Sequence, residues 1–510
     1  MRSRTRLPWT ALLLLASLPI RSVCGAAEPL QVRTSVTRLT TEQRTRFVQC
    51  VLWLKTHPSA YDPGNSGLNA YDWMVQLHKA GFDAHLSGGS GVHMAPSFFP
   101  WHREYLRAFE QELGRAAMAL GYGEPVTLPY WDWTDPAAAD VVFREDFMGG
   151  NGSGSSGAFT SGPPATRSSP FRVRTGPFAT RDDRTTEFVV NTNSAVSGTS
   201  PQGPPRSFLQ RSIATHRIFG GPTSGGDPAP VPTPDQIALL PTPEQIQHGL
   251  EMTLFDMAAW DYTVETNLPF LERTTFRNYM EGHTGLLNVL SGEPFGDQIH
   301  GRVHLWIGGN MSSSSSPNDP LFWLHHANLD RIWAEWQDRH GIFNFPSEWY
   351  YLDASSTVVP VSAADPLWGF RAGTGYPRTV TSLDTLEIRA SGTRYDTQQE
   401  TGPSTVVATI GGGASPVKDV TVSVASLRGL RYQLQSAPSP SGPWVDAGTP
   451  VVAESSEVQF SRAVGSEEFL RVLASANGTL PLTLPQLKES LLRAASAGSD
   501  PVCGFVPGRP

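Results

Sequence analysis

At 510 residues the chain exceeds what one hydrophobic core commonly supports, so two folded units with connecting material are expected. Apolar residues at 39% and 14 Trp point to an ordered interior, while 48 Gly and 43 Pro point to long irregular connections. A formal charge of −8 without a basic stripe argues against broad nucleic-acid or anionic-membrane binding and suits a neutral small-molecule substrate.

The N-terminus carries Arg2, Arg4 and Arg6, then an apolar run from Leu7 to Ile20, then Gly25, Ala26 and Ala27. This is the layout of a signal peptide over 1–27, cleaved near Ala26 or Ala27. The run is shorter than the ~18–20 residues of a membrane anchor, so an exported protein, periplasmic or extracellular and without a remaining span, is expected. Cleavage leaves Cys50 and Cys503, for which a disulfide is permitted and two free thiols are the alternative.

Apolar positions three and four apart predict helices over 40–60 and 70–80, with Gly81 stopping the second. Pro100 suits the first turn of another helix, which reads amphipathically to Gly121, and PYWDW follows at 129–133. Between 150 and 235 Gly, Ser, Pro and Thr dominate, predicting an irregular surface insertion with short elements around Phe188 and Phe208. Helical pattern returns at TPEQIQHGLEMTL, where Thr242 with Glu244 or Gln245 forms a cap region. Asp319 and Pro320 then open LFWLHHANLDRIWAEWQDRH, which Gly341 ends. The first unit is thus expected over 28–397. Beyond it come a linker at 398–416, alternating runs that predict a small all-β sandwich at 417–480, and a tail at 481–510 with a last helical stretch.

All 13 histidines fall between His57 and His340, so the chemistry belongs to the first unit. His300 and His304 share one face of a helix, close enough to share a metal, but HGRVH lacks the Glu base of a zinc protease's HExxH. His325 and His326 diverge by about 100° on a helix, so one is a ligand and the other structural. Asp330, one turn after His326, is placed to orient an imidazole or to pair with an arginine. Upstream, His93 and His102 flank the apolar wall MAPSFFPW, and His78 sits on the preceding helix. Ligation by histidine alone suits copper, zinc or iron and, lacking a carboxylate or thiolate, leans toward copper, and two clusters of three imply two metals.

The segment HMAPSFFPWHREYL resembles the first copper motif of bacterial tyrosinases, and IHGRVHLWIGGNMSSSSSPNDPLFWLHHANLDRIWAEWQ resembles their second. PYWDW, FRNYMEGH and LDTLEIRASGTRYD extend the resemblance over about residues 40–397. It implies a mainly α fold, an antiparallel four-helix bundle around two copper ions with long irregular loops. The first copper would take His78, His93 and His102, with His85 the rival for the first position. The second would take His300, His304 and His326, leaving His325 just outside.

The implied partners are O2 and phenols, with o-diphenols oxidised to o-quinones and monophenols hydroxylated at the ortho carbon. Relatives often carry Asn directly after the fourth ligand, helping a nearby Glu hold a water that accepts the phenol proton. Gly301 stands there in this chain, and Glu281, Glu293 and Asp297 are the candidate acids. Gly91 stands where fungal and plant relatives have a Cys crosslinked to histidine, so no thioether is expected. Ser313 lies near a bulky gate position of plant enzymes and leaves the entrance open, and Leu305 is placed to touch substrate. Several relatives are latent precursors, which implies Phe460, Tyr432 or Trp444 as a plug and Thr401–Pro416 as a linker for a processing protease. Competing expectations are a catechol or aminophenol oxidase without monophenol activity and, from another class, a haemocyanin-like O2 carrier.

Overall fold

The computed structural model describes residues 30–62, 66–86, 92–153, 171–179, 188, 190, 208–214, 231–256, 275–282, 299–340, 344–352, 358–398, 407–410, 418–425, 430–438, 445–452, 457–464 and 469–476. The expected signal segment, Gly91, Glu293, Asp297, Trp444, Cys503 and the tail lie outside them.

The fold is mainly helical up to residue 398. Helix α1 is Thr41–Leu54, α2 Ala70–Leu86, α3 Phe98–Ala119, α4 Pro136–Val142, α5 Pro234–Ile237, α6 Pro243–Glu251, α7 Phe276–Glu281, α8 His300–Ile307 and α9 Leu321–His340. Starts are written in the side chains. Thr40 with Gln43, Thr233 with Gln236 and Thr242 with Gln245 form reciprocal capping boxes, so Gln245 rather than Glu244 completes the expected cap. Asp319 Oδ1 accepts from Leu321 N at 3.0 Å and opens α9 as expected.

Gly81 does not stop α2, which runs on to Leu86 and so also carries His85. A Cβ at Gly81 would lie 2.7 Å from Val92 Cγ2 and 3.0 Å from Trp368, so this glycine serves close packing instead of termination.

Helix α3 lies in contact with both α1 and α9, and the interior around it is aromatic. Trp323 stacks on Phe109 at 3.6 Å between centroids, and the Arg103 guanidinium lies 3.7 Å over Trp333. Cys50 on α1 is buried here, its thiol pushed up to about 12 by desolvation.

Asp330 sits in a buried charge network. It accepts from Arg103 Nε at 2.6 Å, Arg33 Nη1 at 3.2 Å and Tyr395 Oη at 2.7 Å, and Arg33 also pairs with Glu110 at 2.9 Å. Gln31–Arg33 and Thr393–Tyr395 pair as parallel strands, so this network fastens both ends of the helical part to α3 and α9.

Within the insertion between 150 and 235, the described residues differ from a purely surface connection. They are largely interior: Val173, Phe178, Phe188, Leu209, Arg211 and Ile213 are buried, and the strands Gly152–Ser153 and Arg172–Val173 pair within it. Low apolar density hid them, because a few well-placed residues suffice to bury a chain that runs between helices.

Beyond residue 398 the described elements are strands in two antiparallel sheets. Lys418–Ala425 lies between Val407–Ile410 and Glu457–Val464. Leu430–Ala437 pairs with Phe469–Ala476 on one edge and with Val445–Asp446 and Val451–Val452 on the other. Val407–Ile410 falls inside the expected linker, so part of that segment is sheet. Among the described residues no helix is long and apolar enough to cross a membrane.

Candidate metal centre

Two groups of histidines converge, all buried but the half-buried His304: His78 of α2, His93 of the following loop and His102 of α3 form one, and His300, His304, His325 and His326 of α8 and α9 form the other. Within each group the possible ligand atoms lie within 4.8 Å of one another. His78 Nε2 is 3.3 Å from His93 Nε2. His326 Nε2 is 3.3 Å from His300 Nε2 and 3.2 Å from His304 Nε2, which separates it from its neighbour His325. His102 stacks on His326 at 4.5 Å, so the groups face each other. Phe98 and Phe322 each touch rings of both groups and wall the space between them with hydrocarbon.

The backbone sets the tautomers. His78 Nδ1–H donates to Ser314 O at 2.7 Å, His102 to Phe98 O at 2.9 Å, His300 to Glu281 O at 3.1 Å and His304 to Met311 O at 2.8 Å. A carbonyl only accepts, so each of these rings carries its proton on Nδ1 and turns a bare Nε2 lone pair inward. Burial pushes the His78 pKa down to about 3, against the opposing pull of the Ser314 carbonyl. Burial, reinforced by neighbouring histidines, holds His102, His325 and His326 well below the ordinary imidazole range.

Neutral imidazoles with inward lone pairs are a poor fit to one another and a good fit to a cation. His102 Nε2 is buried without a hydrogen-bond partner. A nitrogen-only donor set of this kind suits copper.

Glu281 ties the groups together. Its Oε1 accepts from Met94 N at 2.6 Å and lies 3.4 Å from His93 Nδ1, while its main-chain oxygen holds His300. Arg277 Nη1 donates to Glu281 Oε2 at 2.9 Å and its Nε to Asp256 Oδ2 at 2.6 Å. Met94 is held at φ +58°, an uncommon conformation for a residue with a side chain, directly after His93.

Residues 68–339, about half of the chain, match the family described as the common central domain of tyrosinase. The chain belongs to the tyrosinase family. It is a tyrosinase-type copper oxidoreductase, and the cofactor of this family is a pair of copper ions, which the two histidine groups fit in donor type and number. It is 34% identical over 324 residues to grixazone synthase of Streptomyces griseus, covering 61% of this chain and 85% of that protein. It is 33% identical over 313 residues to a tyrosinase of Streptomyces glaucescens, covering 61% and 84%. A polyphenol oxidase structure from Thermothelomyces thermophila aligns at a TM-score of 0.42 with 22% identity, over 72% of this chain and 88% of that one.

Of the residues singled out from the sequence, the six candidate ligands converge in the two groups, and the Glu281 carboxylate lies beside His93. His325 stacks on His300 at 5.3 Å, and neither of its ring nitrogens has a hydrogen-bond partner. Among the described residues Asp330 touches arginines and no imidazole, the second of its two expected arrangements. Gly301 and Leu305 are half-buried on α8, and Ser313 is exposed in the turn beyond it. Tyr432 and Phe460 are buried on strands of the C-terminal sheets. Sequence reading missed Arg277 and Asp256, and it missed every carbonyl that orients a histidine. The arginine inside FRNYMEGH, four residues before Glu281, was the available signal for the first.

Proposed function

We propose that this chain is an exported dicopper oxidase that uses O2 to convert o-diphenols to o-quinones, with ortho-hydroxylation of monophenols as its slower activity. The observation that carries this reading is the pair of facing groups of neutral, inward-turned imidazoles. His78, His93 and His102 would hold one copper and His300, His304 and His326 the other, within the four helices α2, α3, α8 and α9 read as the family's bundle. When bound, the copper pair supplies the O2 activation and accepts the phenol oxygen. The protein's part is to keep the site dry through Phe98 and Phe322, to fix the ring tautomers, and to offer Glu281, whose carboxylate lies beside His93 and whose carbonyl holds His300, as proton acceptor.

Gly301 favours diphenol oxidation. A glycine brings no side-chain amide to help Glu281 hold a water, and both Glu281 carboxylate oxygens already take part in contacts with Met94, His93 and Arg277. A catechol or aminophenol oxidase is therefore the second reading.

The C-terminal strands are read as a small sandwich that restrains the enzyme until a protease removes it, with Tyr432, Phe460 or Trp444 as the covering side chain. Leader removal over 1–27 would accompany export. The test is turnover of catechol-like and tyrosine-like substrates by copper-loaded protein, whole and truncated after about residue 400. Quinone from catechol in excess of product from the monophenol, rising on truncation, is expected. Reversible O2 binding without quinone would leave an O2 carrier. Equal rates with and without the C-terminal unit would remove latency.

A further inference from the structure

The described residues 208–214, inside the insertion, run beside α8 and the turn that follows it. Ser212 N donates to Ile307 O at 2.9 Å, Ala214 N to Trp306 O at 2.7 Å and Asn310 N to Gln210 O at 3.0 Å. In return Asn310 Oδ1 accepts from Gln210 N at 2.7 Å and Ser212 Oγ from Gly309 N at 3.2 Å. Gly308 and Gly309 have φ of +67° and +55°, and a Cβ on them would run into Ser212 and the Gln210 backbone. The turn is glycine both for its backbone and for the closeness of this segment.

The same segment grips the other end of the loop. Arg211, without exposed surface, pairs with both carboxylate oxygens of Asp319 at 2.7 and 2.8 Å and donates to the carbonyls of Met148, Gly149 and Gly150. Asp319 in turn caps α9, the helix of His326. Between these two grips lies 308–318, which carries Met311 O and Ser314 O, the acceptors that orient His304 of one group and His78 of the other.

We infer that residues 208–214 are a positioning element for both metal groups: Gln210 and Ser212 fix the turn at 308–310, Arg211 fixes Asp319, and the loop between them presents its carbonyls to His304 and His78. A serine- and glycine-rich loop has high conformational entropy and would not hold two carbonyls in place by itself. Supports of this kind around metal-binding histidines commonly change metal affinity about 10- to 100-fold. The inference rests on the trios being copper sites.

The experiment measures copper transfer from the loaded, full-length protein to a chromophoric chelator. Asn310→Ala removes the acceptor for Gln210 N, whereas Asn310→Asp keeps an oxygen there. Native protein is expected to hold two coppers per chain, Asn310→Ala to release them about 10-fold faster, and Asn310→Asp to release them at the native rate. Folded Asn310→Ala with native release overturns the inference alone, as does equal acceleration in both variants, which would mark simple destabilisation. Should Asn310→Ala fail to fold, Ser212→Ala removes the Gly309 contact, and a native release rate in that variant is equally decisive against. Native protein that binds fewer than two coppers overturns the copper reading itself and this inference with it.

Discussion

Replacing Asp330 by Asn removes one negative charge from a site where two guanidiniums and a tyrosine hydroxyl all donate to it, at 2.6, 3.2 and 2.7 Å. Asn offers one acceptor oxygen and turns an NH2 group toward groups that are themselves donors. Arg33 keeps Glu110, and Arg103 keeps Gln337 Oε1 and the carbonyls of Thr385 and Leu386, so neither cation is wholly abandoned. Breaking a buried pair costs about 3–5 kcal/mol, and the remaining partners place this change near 4 kcal/mol. At roughly 2–3 °C per kcal/mol for a domain of this size, the Tm falls by about 10 °C. Copper release, measured well below the melting range, stays at the native rate because Asp330 contacts no imidazole. Thermal melts and chelator competition on the same samples check both halves. A Tm within about 2 °C of native, the shift expected of less than about 1 kcal/mol, would refute the energetic argument. Faster copper loss at an unchanged Tm would mean that Asp330 orients His326 after all.

His102→Ala and His326→Ala should each lower bound copper from two per chain to about one, read by metal analysis after gel filtration, because each removes a donor from a different group. Acid should weaken the metal-free protein. His78 stays neutral when folded down to about 3 but protonates near its ordinary 6.5 when unfolded, so the unfolded state binds more protons between these values. Stability is therefore complete above about 6.5 and falls as pH drops below it, by about 1.4 kcal/mol per pH unit for each such histidine; a urea midpoint equal at about pH 7 and about pH 5 would contradict this. Gly301→Asn should raise the ratio of monophenol to diphenol turnover, by up to roughly 100-fold if a positioned proton acceptor is what the native site lacks. An unchanged ratio in paired initial-rate assays would show that Gly301 does not limit hydroxylation.

The parts of this molecule legible in its sequence are those that side chains announce. His300 and His304 at helical spacing, Asp319 before Pro320, and Thr242 with Gln245 each encode their geometry locally, and the structure follows them. Gly81 misled because glycine both ends helices and lets neighbours approach, and the choice depends on Val92 and Trp368, distant in the chain or across a loop. The Arg211 to Asp319 pair joins residues 108 apart, through a stretch whose composition reads as solvent-exposed. The acceptors at Phe98, Glu281, Met311 and Ser314 were illegible for a different reason: every residue has a carbonyl, so no residue type marks the ones that orient a ligand.

That anonymity has an evolutionary side. Because His78 and His304 are oriented by main-chain oxygens, the side chains of the serine run at 312–316 can change without deleting either orienting bond. Ser313 is exposed on that run. The surface beside the metal centre can therefore drift, or be engineered, by substitutions that leave the loop's path intact. Insertions or deletions between Asn310 and Asp319 would shift both carbonyls at once, so within the serine run selection acts on length far more than on identity.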